Sequence, residues 1–144
     1  MSLKPVKAVL GLIAVAVLIQ FIPIPRTNPP VTAQITAPPE LLTVLRRACY
    51  DCHSNETTWP WYSKIAPSSW LVAWDVFEGR DHLNFSDWEQ LAPEKQTKLR
   101  KKIHKEVSEE EMPPGFYLLA HPNARLSEQD KGIIFTWAGQ GGPQ

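Results

Sequence analysis

The 144-residue sequence carries 15 Lys+Arg against 15 Asp+Glu, 43% hydrophobic residues, 14 Pro, six Trp and two Cys. The length suits one compact domain, and the balanced charge gives no global pull toward nucleic acid, for which no binding motif is present either. Two Cys exclude a disulfide framework, and a zinc ribbon or finger would need two further Cys or a spaced His pair.

Charge and hydropathy divide the chain. All acidic residues lie beyond residue 38, whereas the first 38 hold only Lys4, Lys7 and Arg26 as charges. After Lys7 an apolar run extends from Ala8 to Ile22, interrupted only by Gln20, which predicts an N-terminal transmembrane helix acting as a membrane anchor or signal over residues 1–25. With the lysines ahead of the run, the positive-inside rule places the N-terminus in the cytoplasm and everything after Pro25 outside. The expected location is therefore the bacterial inner membrane, single-pass, with the folded domain in the periplasm. Pro23, Pro25, Pro29 and Pro30 crowd the positions where a signal would be cleaved, and this favours a retained anchor.

The stretch PIPRTNPPVTAQITAPP over residues 23–39 lacks hydrophobic periodicity and is rich in Pro. It predicts an extended, semi-rigid polyproline II spacer, with residues 26–39 as a linker that holds a domain of residues 40–144 off a surface.

Within that domain the periodicity is helical and no alternating runs suggest a sheet. Pro39 opens a helix in which Leu41, Val44, Leu45 and Ala48 share a face. Pro67 opens a second, with Trp70, Trp74 and Phe77 on one side and Gly79 as a stop. Ser86 and Glu89 have capping-box spacing, and Pro93 opens a third helix with Leu99, Ile103 and Val107 in line and Lys98, Lys101, Lys102 and Lys105 on its other side. Ser127 caps a fourth, which carries Ile133, Ile134 and Trp137 and fades at Gly139, Gly141 and Gly142. The fold class expected is all-α, with four helices and long irregular connections.

The first of these helices ends in Cys49-Tyr50-Asp51-Cys52-His53. A Cys-x-x-Cys-His run is the attachment signature of c-type haem. Two thiols three residues apart reach the two vinyl groups of one porphyrin, and the adjacent His53 projects its imidazole toward the iron. Competing readings are a structural disulfide, or a thioredoxin-like dithiol, which belongs beside a βαβ pattern that this sequence lacks. A zinc site of Cys49, Cys52, His53 and one more His is disfavoured, because two ligands adjacent in sequence rarely point at one tetrahedral centre.

For the sixth iron position the candidates are Met112, His82, His104 and His121. Met112 lies in Glu111-Met112-Pro113-Pro114-Gly115, where the helix must stop and two prolines stiffen the chain, and it is the domain's only methionine. A lone Met is often a core filler; beside a haem motif Met112 is the expected axial ligand. His121, before Pro122, is the alternative. His104 follows the charged side of its helix, and His82 ranks below His121.

Cys49-Tyr50-Asp51-Cys52-His53-Ser54-Asn55 followed by Thr58-Trp59-Pro60-Trp61-Tyr62-Ser63 resembles the haem-binding domain family of small bacterial c-type cytochromes. Ala66-Pro67, Glu78-Gly79-Arg80, Leu83-Asn84-Phe85-Ser86, Met112-Pro113-Pro114 and His121-Pro122 extend the resemblance over about residues 45–138. It implies one covalent haem c, with Cys49 and Cys52 as attachment points and His53 as proximal ligand. A looser resemblance to class I cytochromes c implies a cytochrome c-like helical domain around that haem.

Together these readings predict a membrane-tethered monohaem cytochrome with haem on Cys49 and Cys52 and iron held by His53 and Met112. His/Met ligation fills both axial positions and favours a one-electron carrier over an enzyme. Redox proteins are then the expected partners, with the membrane met through the N-terminal helix and no small-molecule substrate. The alternative is a haem-based sensor or peroxidase-like enzyme with an open distal site. Trp59, Tyr62 and Arg80 are candidate donors to the haem propionates, and most other aromatic residues read as core. The lysines from Lys98 to Lys105 and the acidic run Glu109-Glu110-Glu111 are either docking surfaces or solvated helix faces.

Overall fold

A computed structural model describes residues 3–139. Helix α1 spans Leu3–Leu18, α2 Pro39–Ala48, α3 Tyr50–His53, α4 Ser68–His82, α5 Pro93–Ser108, α6 Gly115–Ala120 and α7 Glu128–Gly139, with short 3-10 turns between them. Among the described residues there is no strand, in agreement with the all-α expectation. The expected fade of the last helix at Gly141 and Gly142 lies outside the described residues.

The expectation of an N-terminal transmembrane helix is corrected. Among the described residues no helix is long and apolar enough to cross a membrane. Helix α1 has 16 residues, about 24 Å at 1.5 Å per residue, against a hydrocarbon core of about 30 Å. Its end is set locally, as the chain tightens into a 3-10 turn over Ile19–Phe21 and meets Pro23 and Pro25, which bring no N–H to continue the ladder. Gln20 then turns to the folded domain, donating from Nε2 to the Ala66 carbonyl at 3.2 Å and accepting the Ala66 N–H at 2.9 Å.

The Pro-rich segment is extended as its composition suggests, yet it is not a free spacer. Arg26 donates to the Ser63 carbonyl and Asn28 to that of Thr57, while the Pro30 carbonyl accepts from Asn55. Ala33 and Ile35 donate their N–H groups to the Ser86 and Phe85 carbonyls, and the Ile35 side chain is buried in the core. Prolines hold the segment extended at little entropic cost, and the residues between them supply the bonds that fix it to the domain.

Helix α2 forms as its periodicity predicts, with Pro39 in its first turn and Leu41, Val44, Leu45 and Ala48 buried. Leu41, Val44 and Leu45 pack in one cluster with Val107 of α5 and Ile134 and Trp137 of α7. An aromatic stack runs through this core: Tyr50 on Phe85 at 5.6 Å between centroids, Phe85 on Trp88 at 6.0 Å and Trp88 on Trp137 at 5.5 Å. The Arg100 guanidinium covers the Trp137 ring at 4.3 Å. Helix α7 is capped as expected, the Ser127 hydroxyl accepting the Asp130 N–H.

Three local expectations differ. Gly79 does not stop α4, which continues to His82 and buries Ser69, Val76 and Gly79, while Trp74 and Phe77 are exposed. Ser86 and Glu89 form no capping box; the Ser86 hydroxyl accepts the Asn55 N–H and the Glu89 carboxylate accepts that of Thr36. After α1, six α-helical segments are found among the described residues where four were expected, because the haem-motif turn and the stretch after Pro114 are each helical in their own right.

Helix α5 ends in a Schellman motif, with Glu111 N–H bonded to the Glu106 carbonyl and Glu110 N–H to that of Val107. Glu110 occupies the left-handed position, with φ of 59°, and its carboxylate meets Lys131 at 3.2 Å. The Met112 N–H also bonds to the Glu106 carbonyl, so the loop carrying Met112 is tied to the end of α5.

Candidate haem site

The Cys49–His53 turn has two faces. Tyr50 points into the core, 3% exposed and stacked on Phe85. Cys49, Cys52 and His53, at i, i+3 and i+4, share the other side and line one cavity. The turn is held from below by the Phe85 N–H on the His53 carbonyl and by Arg80 Nε on that of Ser54.

That cavity, of about 360 Å³, lies between α3 and α4 on one side and α5 with the 112–117 stretch on the other. Helix α4 packs on α3, and α5 packs on α7. Leu83, Phe85, Leu99, Ile103, Val107 and Leu126 make its lining apolar. Trp74 and Phe116, 62% and 65% exposed, stand at its edge.

His53 is oriented by α4. Its Nδ1 lies 2.8 Å from the Gly79 carbonyl oxygen and 3.0 Å from that of Leu83. Carbonyls only accept, so Nδ1 carries the proton and Nε2 is left with its lone pair free. Burial holds the imidazole below its ordinary range despite those two carbonyl bonds, so the ring is neutral near pH 7. Burial also pushes the Cys49 thiol up to about 12, with the neighbouring Cys52 adding to it, and pushes Cys52 to about 12, with Asp75 and Asp51 adding. The two are not joined in a disulfide.

Gly79 makes this arrangement possible. A Cβ there would stand 2.5 Å from the Cys52 carbonyl oxygen, so only glycine lets the α4 backbone come close enough for its carbonyl to reach His53. Sequence reasoning saw Gly79 as a helix end; its position inside an otherwise helical pattern was the available signal of close packing.

Of the distal candidates, Met112 lines the cavity and is 38% exposed. His121 does not line it: its Nε2 is bonded to the Tyr62 hydroxyl at 2.7 Å, and its ring stacks on Tyr117 at 4.2 Å. His104 stacks on Phe135, away from the cavity. His82 lines the cavity from α4, the same helix that orients His53.

The three expected propionate donors are engaged elsewhere. Trp59 Nε1 donates to Asn28, Tyr62 binds His121, and Arg80 donates to Ser54, Thr27, Asn28 and Thr57; none lines the cavity. Two residues that sequence reasoning passed over matter instead. Tyr117 lines the cavity and donates its hydroxyl to Asp51 at 2.9 Å, tying α6 to the motif turn, and Asp51 also accepts the Thr58 N–H.

An apolar slot with a neutral imidazole and a thioether among its lining fits a flat, hydrophobic, iron-bearing macrocycle. Exposed Trp74 and Phe116 are surfaces that such a group would cover. The competing readings lose support: a dithiol oxidoreductase lacks its βαβ scaffold, and among the described residues no three His, Cys, Asp or Glu side chains gather to hold a metal ion.

Fold and site thus define an all-helical domain built around a cofactor slot. The chain belongs to the haem-binding domain family, which matches residues 14–140. Neither a curated protein nor a solved structure matches the chain. The family match starts well before residue 45 and so takes in the extended segment that the fold binds to the domain.

Proposed function

We propose that this haem-binding domain is an exported monohaem c-type cytochrome that carries single electrons. Haem is attached through Cys49 and Cys52, His53 Nε2 is the proximal ligand and Met112 the second axial ligand. The observation that carries this reading is the convergence of Cys49, Cys52, His53 and Met112 on one apolar cavity, with His53 Nδ1 already bonded to the Gly79 and Leu83 carbonyls.

The bound group supplies a reversible one-electron couple of its iron. The protein's part is to hold and tune it. The paired carbonyls fix the imidazole tautomer and raise its basicity as a ligand. The apolar lining excludes water and favours the form of lower charge, and a thioether ligand raises the potential further. With both axial positions filled the chain is a carrier rather than an enzyme, and its partners are redox proteins. Lys4 and Lys7 ahead of the apolar run of α1 support export to the periplasm, where c-type haem is attached.

The test is to produce the full chain in a bacterium able to mature c-type cytochromes and to record absorption spectra of wild type, Met112→Ala and His121→Ala. The expected result is a weak red sulfur-to-iron band in the oxidised wild type that is lost in Met112→Ala and kept in His121→Ala. A spectrum that Met112→Ala leaves unchanged would overturn Met112 as ligand and favour an open distal site, as in a sensor or peroxidase.

A further inference from the structure

We propose that Lys102 and His82 bind the two haem propionates, one nitrogen donor from each side of the cavity. The inference rests on the haem reading above and deepens it by assigning the anionic end of the cofactor.

Apart from the motif cysteines and histidine, the charged or titratable groups lining the cavity are Asp51, Asp75, Glu78, His82, Lys102 and Glu106, with the Tyr117 phenol. Asp51 and Asp75 stand close enough to the thiols to act on Cys52. A propionate placed there would face like charges in a partly dry site. Lys102 of α5 brings an ammonium and His82 of α4 an imidazole to the lining. Both are close enough to His53 to act on its charge.

Neither is strongly engaged within the protein. Among the described residues no carboxylate lies within 4 Å of Lys102, and His82 meets Glu78 and Asp81 only at 3.9 Å each. Both side chains are exposed, so carboxylates held there would sit at the cavity mouth, where water and the two donors share their solvation. The vinyl edge of the porphyrin, bound to the thiols, and the propionate edge are on different sides of the ring. Anchoring one at Cys49 and Cys52 therefore sends the other away from the thiols. A dianion spanning Lys102 and His82 would also join α4 to α5, the two helices that the cavity keeps apart.

The experiment uses the full haem-loaded chain and compares wild type with Lys102→Ala, Lys102→Glu, Lys102→Arg and His82→Gln. Lys98→Ala, an exposed cation of α5 outside the cavity lining, serves as control. Resonance Raman spectroscopy reads the propionate bending bands, and titration reads the reduction potential. Lys102→Ala and His82→Gln are each expected to shift the bending bands; Lys102→Ala is expected to lower the potential, Lys102→Glu to lower it further, and Lys102→Arg to restore both readings toward wild type. Lys98→Ala is expected to leave the bands in place. Unshifted bands in both Lys102→Ala and His82→Gln, with haem present, would overturn this assignment alone. A wild-type chain that binds no haem would overturn both it and the reading beneath it.

Discussion

His53 and Gly79 are coupled through a single backbone position. The Gly79 carbonyl accepts the His53 Nδ1–H at 2.8 Å, and the absent side chain lets α4 lie where a Cβ would stand 2.5 Å from the Cys52 carbonyl oxygen. The ligand's orientation and the packing of the motif turn thus depend on the same glycine.

Gly79→Ala is accordingly expected to destabilise the domain by about 1–3 kcal/mol, since backbone must shift to admit the methyl group. Gly132 in α7 has nothing within 4 Å of a built Cβ, and Gly132→Ala is expected to stabilise by about 0.5–1 kcal/mol. Urea unfolding of the two variants should move in opposite directions; equal shifts would contradict the close-approach account.

Arg80 clamps the extended N-terminal segment to the domain through the Thr27 carbonyl and Asn28, and the motif turn through the Ser54 carbonyl. Arg80→Ala is expected to cost about 2–3 kcal/mol, because it leaves the carbonyl of buried Ser54 without this donor. Limited proteolysis should then cut within residues 26–36 far faster than in wild type.

Tyr117→Phe removes the hydroxyl that joins α6 to Asp51. The expected loss is about 1–2 kcal/mol, as Asp51 keeps the Thr58 N–H and half-buried Tyr117 keeps its stacking on His121. Amide hydrogen exchange should rise over residues 115–121 and stay unchanged in α2.

Two pH limbs follow for the haem-free chain. His53 is held below its ordinary value of 6.5 by burial, so the unfolded chain takes up this proton first. Stability is then full above about pH 6.5 and falls as pH drops toward the folded-state value. The two thiols are raised from 9.0 to about 12, so the unfolded chain loses those protons first, and stability falls as pH rises through that window. Thermal unfolding against pH should show the acid limb flatten in His53→Gln and the alkaline limb flatten in Cys49→Ala/Cys52→Ala. Thioether formation would abolish the alkaline limb in the same way.

Much of the site is legible in the sequence because its determinants are local. The i, i+3, i+4 spacing of Cys49, Cys52 and His53 places them on one face of any helical turn, and the prolines after Met112 force a loop. The face of α4 is not the one its period suggests: Trp74 looks like core in a period of 3.6 yet lines the cavity, and Phe77 is exposed. The partners of Arg80, Tyr117 and the 26–36 segment are long-range and polar, and such pairings leave no periodic trace. The N-terminal apolar run reads as a span by composition, whereas Pro23 and Pro25 and the Gln20–Ala66 bonds end its helix at Leu18.

The most direct test of the central claim is the intact mass of the denatured chain after export in a host that matures c-type cytochromes. The account predicts a mass raised by one haem in wild type and in Met112→Ala. The bare chain mass in wild type, with haem either absent or released on denaturation, would contradict attachment at Cys49 and Cys52.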